Sequence, residues 1–114
     1  MIRKKLTEKR RKCIYEKTGG QCAYCGTVIT FKQMTVDHII PIVNGGADEE
    51  ENMLPACRPC NHRKGTSNIE SFRAQIGNSL NVLKRDSVTY RNALRYGLIK
   101  ENHHKIKFYF EKMR

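Results

Sequence analysis

The sequence predicts a small α+β fold, with two short strands and a helix stapled by a metal, helices on either side, and a late strand. Three observations predict it. Two C-x-x-C pairs lie 31 residues apart, short β-branched runs fall between them, and apolar residues at helical spacing lie outside them. At 114 residues the chain has little core to bury, so burial alone leaves a thin stability margin and a staple is expected.

The balance of 22 Lys plus Arg against 11 Asp plus Glu gives a net charge of +11. A polyanion is therefore the first partner to consider, and nucleic acid leads that class. The longest nearly apolar run, residues 39–43, is far shorter than the roughly 18 residues that span a bilayer. The basic start, Met1 to Lys12, is followed by no apolar h-region, which excludes a signal-peptide pattern. The expected setting is a reducing cytoplasm, where paired cysteines bind metal more often than they form disulfides.

Taken in order, residues 2–17 place Ile2, Leu6 and Cys13 at helical spacing among eight basic residues, and Gly19-Gly20 ends the pattern. This basic helix packs on the core as segment 1–21. Cys13 is expected to be a buried, inert thiol on its apolar side, and Arg10, Arg11 and Lys12 are candidates for DNA contact. Residues 35–40 then read as a strand closed by Pro41. Asn44-Gly45-Gly46 has turn chemistry, and Asp48 to Glu51 concentrates four acids in what reads as an exposed loop that would repel DNA. Residues 53–56 form a second short strand. Pro59 sits where a helix begins and Gly65 where it stops.

Segment 66–114 opens on a Ser67-x-x-Glu70 capping box. Ile69, Phe72, Ile76, Leu80 and Leu83 follow at helical spacing and predict one packed helix face. A shorter helix from about Ser87 to Tyr96 ends at Gly97, and Ile106, Phe108 and Phe110 alternate as a strand or hairpin. A helix-turn-helix-like pair over 69–96, with Tyr90, Arg91 and Arg95 reading DNA and a hairpin wing from Leu98 to Phe110, is a further arrangement this pattern allows.

The most specific local signal is Cys22-Ala23-Tyr24-Cys25 with Cys57-Arg58-Pro59-Cys60. Each knuckle aims two thiolates at one point, and the four together complete a tetrahedral zinc shell that leaves no position for water. Zinc held this way is structural, and its binding becomes folding free energy. Two reduced dithiols or a redox-active C-x-x-C are the other readings of the same cysteines.

Between the knuckles the chain runs Asp37-His38-Ile39-Ile40-Pro41, then Gly45-Gly46, Asn52-Met53-Leu54, and Cys57-x-x-Cys60-Asn61-x-x-Lys64-Gly65. Over residues 22–65 this order and spacing resemble the zinc-containing HNH endonucleases, and outside that span there is a looser likeness to small phage or prophage members. The resemblance implies a ββα-metal core acting on DNA. It implies that Asp37 and Asn61 hold one catalytic Mg²⁺ or Mn²⁺, that His38 is the general base, and that Asn52 braces the loop and orients the histidine. It also implies products with a 5′-phosphate and a 3′-hydroxyl. Asn61 stands where many members have the final His, and His62 beside it is the alternative ligand. Residues one apart on a helix point about 100° apart, so only one of the two can face the metal.

The reaction itself needs such groups. Phosphodiester hydrolysis requires an activated water, a cation to offset charge in the transition state, and stabilisation of the departing oxygen. Neutral imidazole can take the proton of that water. Arg63 and Lys64, on the knuckle helix, are candidates for phosphate contact. Adjacent strand residues face opposite sides, so Asp37 and His38 can share a site only if the backbone is irregular or the strand ends there. A monomer with one such site is expected to nick. The rival reading is a non-catalytic zinc module that binds nucleic acid through charge.

Overall fold

The computed structural model describes residues 6–113. Over this span the fold is α+β, with a two-stranded antiparallel sheet and six α-helices. By its contacts the chain divides into two compact units. One runs through Ile69 and takes in the stretch from Lys107 onward, and the other is Glu70–Ile106.

In the first unit, helix α1 spans Glu8–Glu16, and the Thr7 hydroxyl caps it by accepting from the Arg10 N–H at 3.1 Å. The expected helix start at residues 2–5 lies outside the described residues. Ile14 is the buried position of α1, joining Ile29, Met34 and Met53 in the core. Cys13 is exposed, which corrects the expected buried thiol. The next residue along the helix, about 100° round, takes the inward place.

Strand β1 (Thr35–His38) pairs with β2 (Met53–Ala56), with Asp37 opposite Leu54 and His38 opposite Met53. The sequence pattern extended β1 to residue 40, but it stops at His38. Beyond it the Ile40 backbone turns to the Asn52 side chain: Asn52 Oδ1 accepts from Ile40 N at 2.9 Å, and Nδ2 donates to Ile40 O at 2.8 Å. These bonds satisfy groups that a longer ladder would have paired. Helix α2 (Arg58–Lys64) follows directly, with Cys57 at its N-cap, and ends at Gly65 with φ 53°.

The alternation of Ile106, Phe108 and Phe110 produces no strand. Residues Tyr109–Lys112 form one helical turn, α6. No partner strand is offered here, and the free N–H groups find loop carbonyls instead. Tyr109 N donates to Tyr24 O at 3.0 Å and Phe110 N to Ala23 O at 2.8 Å, while Phe108 is buried edge-on against Tyr24. The stretch therefore lies over the first knuckle.

The second unit contains α4 (Ser79–Asp86), α5 (Val88–Arg95) and all but the first residue of α3 (Ile69–Gly77). The single helix expected over 69–83 is interrupted at Asn78, immediately after Gly77, the weakest helix former in the run. Of its expected packed face, Phe72 is buried and Leu83 is exposed. Helix α5 is capped by Ser87 Oγ. It closes with Leu98 N on Ala93 O at 2.9 Å and Gly97 N on Leu94 O at 3.1 Å, the paired bonds of a glycine C-terminal motif. No strand follows among the described residues, so the hairpin wing is not formed. Arg91 donates to the Lys84 and Arg85 carbonyls, and Tyr90 to Glu101.

Candidate active site

The two knuckles converge as their spacing requires. The Cys22, Cys25, Cys57 and Cys60 sulfurs all lie within 4.8 Å of one another, and Cys25 and Cys57 Sγ are 3.8 Å apart. A tetrahedron with Zn–S bonds of ~2.3 Å has sulfurs ~3.8 Å apart, so the donor set fits zinc. A hydrogen bond from the Cys60 thiol pulls Cys22 far below the ordinary thiol range, and the same contact pushes Cys60 up. A bound zinc ion would hold all four sulfurs as thiolates.

The end of β1, the loop after it and α2 surround a cavity of about 270 Å³ whose lining includes Asp37, His38 and Asn61. Residues of opposite strand parity reach one cavity because β1 ends at His38 and the chain bends at once. Asn52 ties that bend: besides its two bonds to Ile40, Nδ2 donates to Ala47 O at 2.8 Å. It touches the loop rather than the histidine. Gly46 is required by close approach, since a Cβ there would lie 1.8 Å from Ile40 O and 2.9 Å from Asn52 Nδ2.

Asp37 is 5% exposed. Its Oδ2 accepts from the Tyr24 hydroxyl and lies 3.0 Å from Lys64 Nζ, which also donates to His38 O at 3.0 Å. Lys64 is 1% exposed, so the expected phosphate contact is corrected: this ammonium is an internal counterion for a buried carboxylate. Burial, and then the Asp37 charge, push the Tyr24 phenol well above its ordinary value, so it remains a donor. Among the described residues, none hydrogen-bonds the Asn61 carboxamide. An amide oxygen and a carboxylate on one cavity form a donor set suited to a hard divalent cation.

His38 Nε2 lies 2.9 Å from Asp48 Oδ1. The acidic loop is therefore not merely an exposed, repelling segment, because its first carboxylate turns in to the histidine and Glu50 meets Arg10 Nε at 3.3 Å. Of the other expected contacts, Arg11 donates to Met34 O at 3.2 Å and stacks over Phe31, while Lys12, Arg63 and His62 are exposed. His62 is not among the lining residues of the cavity. Tyr24 and Asp48 were missed by sequence reasoning. A side chain between two ligand cysteines is a signal that could have found the first, whereas one acid in a run of four gives no such signal for the second.

Residues 22–67 match the family model described as HNH endonuclease. A stretch of 53 residues is 44% identical to the CRISPR-associated endonuclease Cas9 of Corynebacterium diphtheriae, covering 46% of this chain and 5% of that protein. A stretch of 63 residues is 34% identical to the CRISPR-associated endonuclease Cas9 of Actinomyces naeslundii, covering 54% of this chain and 6% of that protein. Among solved structures, the Type II-C Cas9 enzyme from Actinomyces naeslundii superposes with a TM-score of 0.56 at 28% identity, over 61% of this chain and 8% of that one. The matched segment is thus a small part of these relatives. Residues 22–67 of this chain match the HNH endonuclease family in sequence, and 61% of the chain matches a Cas9 enzyme in fold.

Proposed function

We propose that this chain is a metal-dependent DNA endonuclease, with His38 as general base and Asp37 and Asn61 as the protein ligands of one Mg²⁺ or Mn²⁺. The observation that carries this reading is that Asp37, His38 and Asn61 line one cavity although a regular strand would separate the first two. The cation, when bound, supplies charge for the phosphoryl transition state and the departing 3′-oxygen. The protein supplies the rest. Asp48 accepts from Nε2–H of His38, and this tautomer leaves the Nδ1 lone pair to take the proton of the attacking water. Asn52 and Gly46 keep the loop beside the histidine in one shape.

The net charge of +11 favours a polyanionic substrate, and Arg63, exposed on the knuckle helix, is positioned for phosphate contact with Lys12 as a further candidate. One site acts on one strand at a time, so a monomer nicks and leaves a 5′-phosphate. The deciding measurement is relaxation of supercoiled plasmid with added Mg²⁺ or Mn²⁺. His38→Ala should cut roughly 10²- to 10⁴-fold more slowly while keeping zinc and DNA affinity. Cleavage by His38→Ala at the wild-type rate would assign the chain to non-catalytic nucleic-acid binding.

A further inference from the structure

We infer that Tyr24 is a positioning residue for the Asp37 carboxylate, through which the zinc knuckle sets how tightly the site holds its divalent cation. This rests on the reading of Asp37 and Asn61 as the cation's ligands. Tyr24 lies between Cys22 and Cys25, so zinc held by the four cysteines would fix its backbone on both sides. Its ring is fixed as well: it is buried, with Phe108 edge-on at 5.3 Å and Phe110 at 6.0 Å. The hydroxyl of this immobilised ring donates to Asp37 Oδ2.

Lys64 reaches the same oxygen at 3.0 Å. One donor on a carboxylate oxygen is a pivot, because the terminal torsion of Asp is broad and the group can swing about it. A second donor from another direction removes that freedom. It also assigns the two oxygens different tasks, since Oδ2 is taken by Tyr24 and Lys64 while among the described residues no donor reaches Oδ1. Oδ1 is then the oxygen left for a cation. Two anchors of different origin converge here, one from the first knuckle and one from the helix that carries the second.

The test uses the full zinc-loaded chain and Tyr24→Phe, which keeps the ring and removes the hydroxyl. Mn²⁺ binding is followed by electron paramagnetic resonance, and plasmid cleavage is measured across Mn²⁺ concentrations. Losing a hydrogen bond to a charged group should raise the Mn²⁺ dissociation constant and the half-saturating Mn²⁺ for cleavage roughly tenfold. Zinc content, the cooperativity of unfolding and the rate at saturating Mn²⁺ should stay near wild type, with the unfolding midpoint lowered by the loss of one buried hydrogen bond. In an Asp37→Asn background the same change should have no further effect on Mn²⁺ affinity.

Unchanged Mn²⁺ affinity overturns the inference, as does an equal loss of affinity in the Asp37→Asn background. Loss of zinc or of cooperative unfolding in Tyr24→Phe overturns it too, because the hydroxyl would then belong to the fold. A wild-type chain that binds Mn²⁺ but cuts no DNA, with weaker binding in Tyr24→Phe, would uphold this inference and remove the nuclease reading. A wild-type chain that binds no Mn²⁺ removes the inference.

Discussion

Two carboxylates, one in each unit, are held by the same pair of side-chain types and put to different use. In the first unit Asp37 meets the Tyr24 hydroxyl and the Lys64 ammonium, all buried. In the second, Glu101 accepts from Tyr90 at 2.8 Å and meets Lys84 at 3.3 Å, with His103 at 2.9 Å. The Lys64 side chain is 0% exposed and that of Lys84 is 44% exposed. Removing an ammonium and a carboxylate from water costs several kcal/mol per ion, so the first arrangement persists only with its partners in place. The second is solvated and screened, and contributes little. The buried constellation lies beside four cysteines that could hold zinc, whereas the second unit has a Ser87 helix cap and a buried Phe72.

The largest effect should come from breaking the staple. Cys57→Ser, or chelation of zinc, removes binding worth about 10–16 kcal/mol, as much as the entire stability of an ordinary domain. Hydrogen exchange should show protection lost across β1, β2 and α2. Protection that survives there without zinc would show that the buried polar constellation supports itself.

An intermediate effect is expected from Lys64→Met, which leaves the Asp37 charge with Tyr24 as its remaining donor. Breaking a buried pair in this way should cost about 3–5 kcal/mol in denaturant unfolding. DNA affinity and its salt dependence should stay unchanged, since this ammonium does not reach solvent. A flatter salt slope would return Lys64 to the DNA surface.

The smallest effect belongs to Glu101→Gln. Glu101 is held below the usual carboxylate range chiefly by the Tyr90 hydroxyl, then by His103 and Lys84. A carboxyl lowered in the folded state contributes stability above its unfolded value, and that contribution fades as pH falls through the folded one. Wild type should therefore melt slightly above Glu101→Gln at neutral pH, with the two midpoints merging in acid. A gap that persists in acid would mean the glutamate acts by packing rather than by charge.

Legibility of the fold followed the range of the interactions. The knuckles, the β1 and β2 positions and the stop at Gly65 depend on neighbours within a few residues or on cysteine spacing, and such signals stand in the sequence itself, whereas the bracing by Asn52 was implied only by the family resemblance. The burial of Lys64 depends on Asp37 and Tyr24, which are far away along the chain, so charge pattern alone read it as surface. The same is true of Asp48, one acid among four until the loop turns it toward His38. The C-terminal alternation misled because period-2 spacing says nothing about whether a partner strand exists. At Gly77 and Asn78 a continuous apolar period concealed a break made by backbone propensity.

The segment from Lys107 onward has a consequence for how this molecule tolerates change. Tyr109 Oη donates to Gln21 Oε1 at 2.8 Å, across 88 positions of sequence, so the first unit is closed by residues synthesised after the whole of Glu70–Ile106. Topologically, Glu70–Ile106 is an insertion into a unit whose two parts lie on either side of it. The entropy of closing a connection grows only with the logarithm of its length, by about 0.6 kcal/mol per doubling. The inserted stretch can therefore lengthen, shorten or be exchanged at little cost to the first unit, whereas truncation before Tyr109 would uncover the first knuckle.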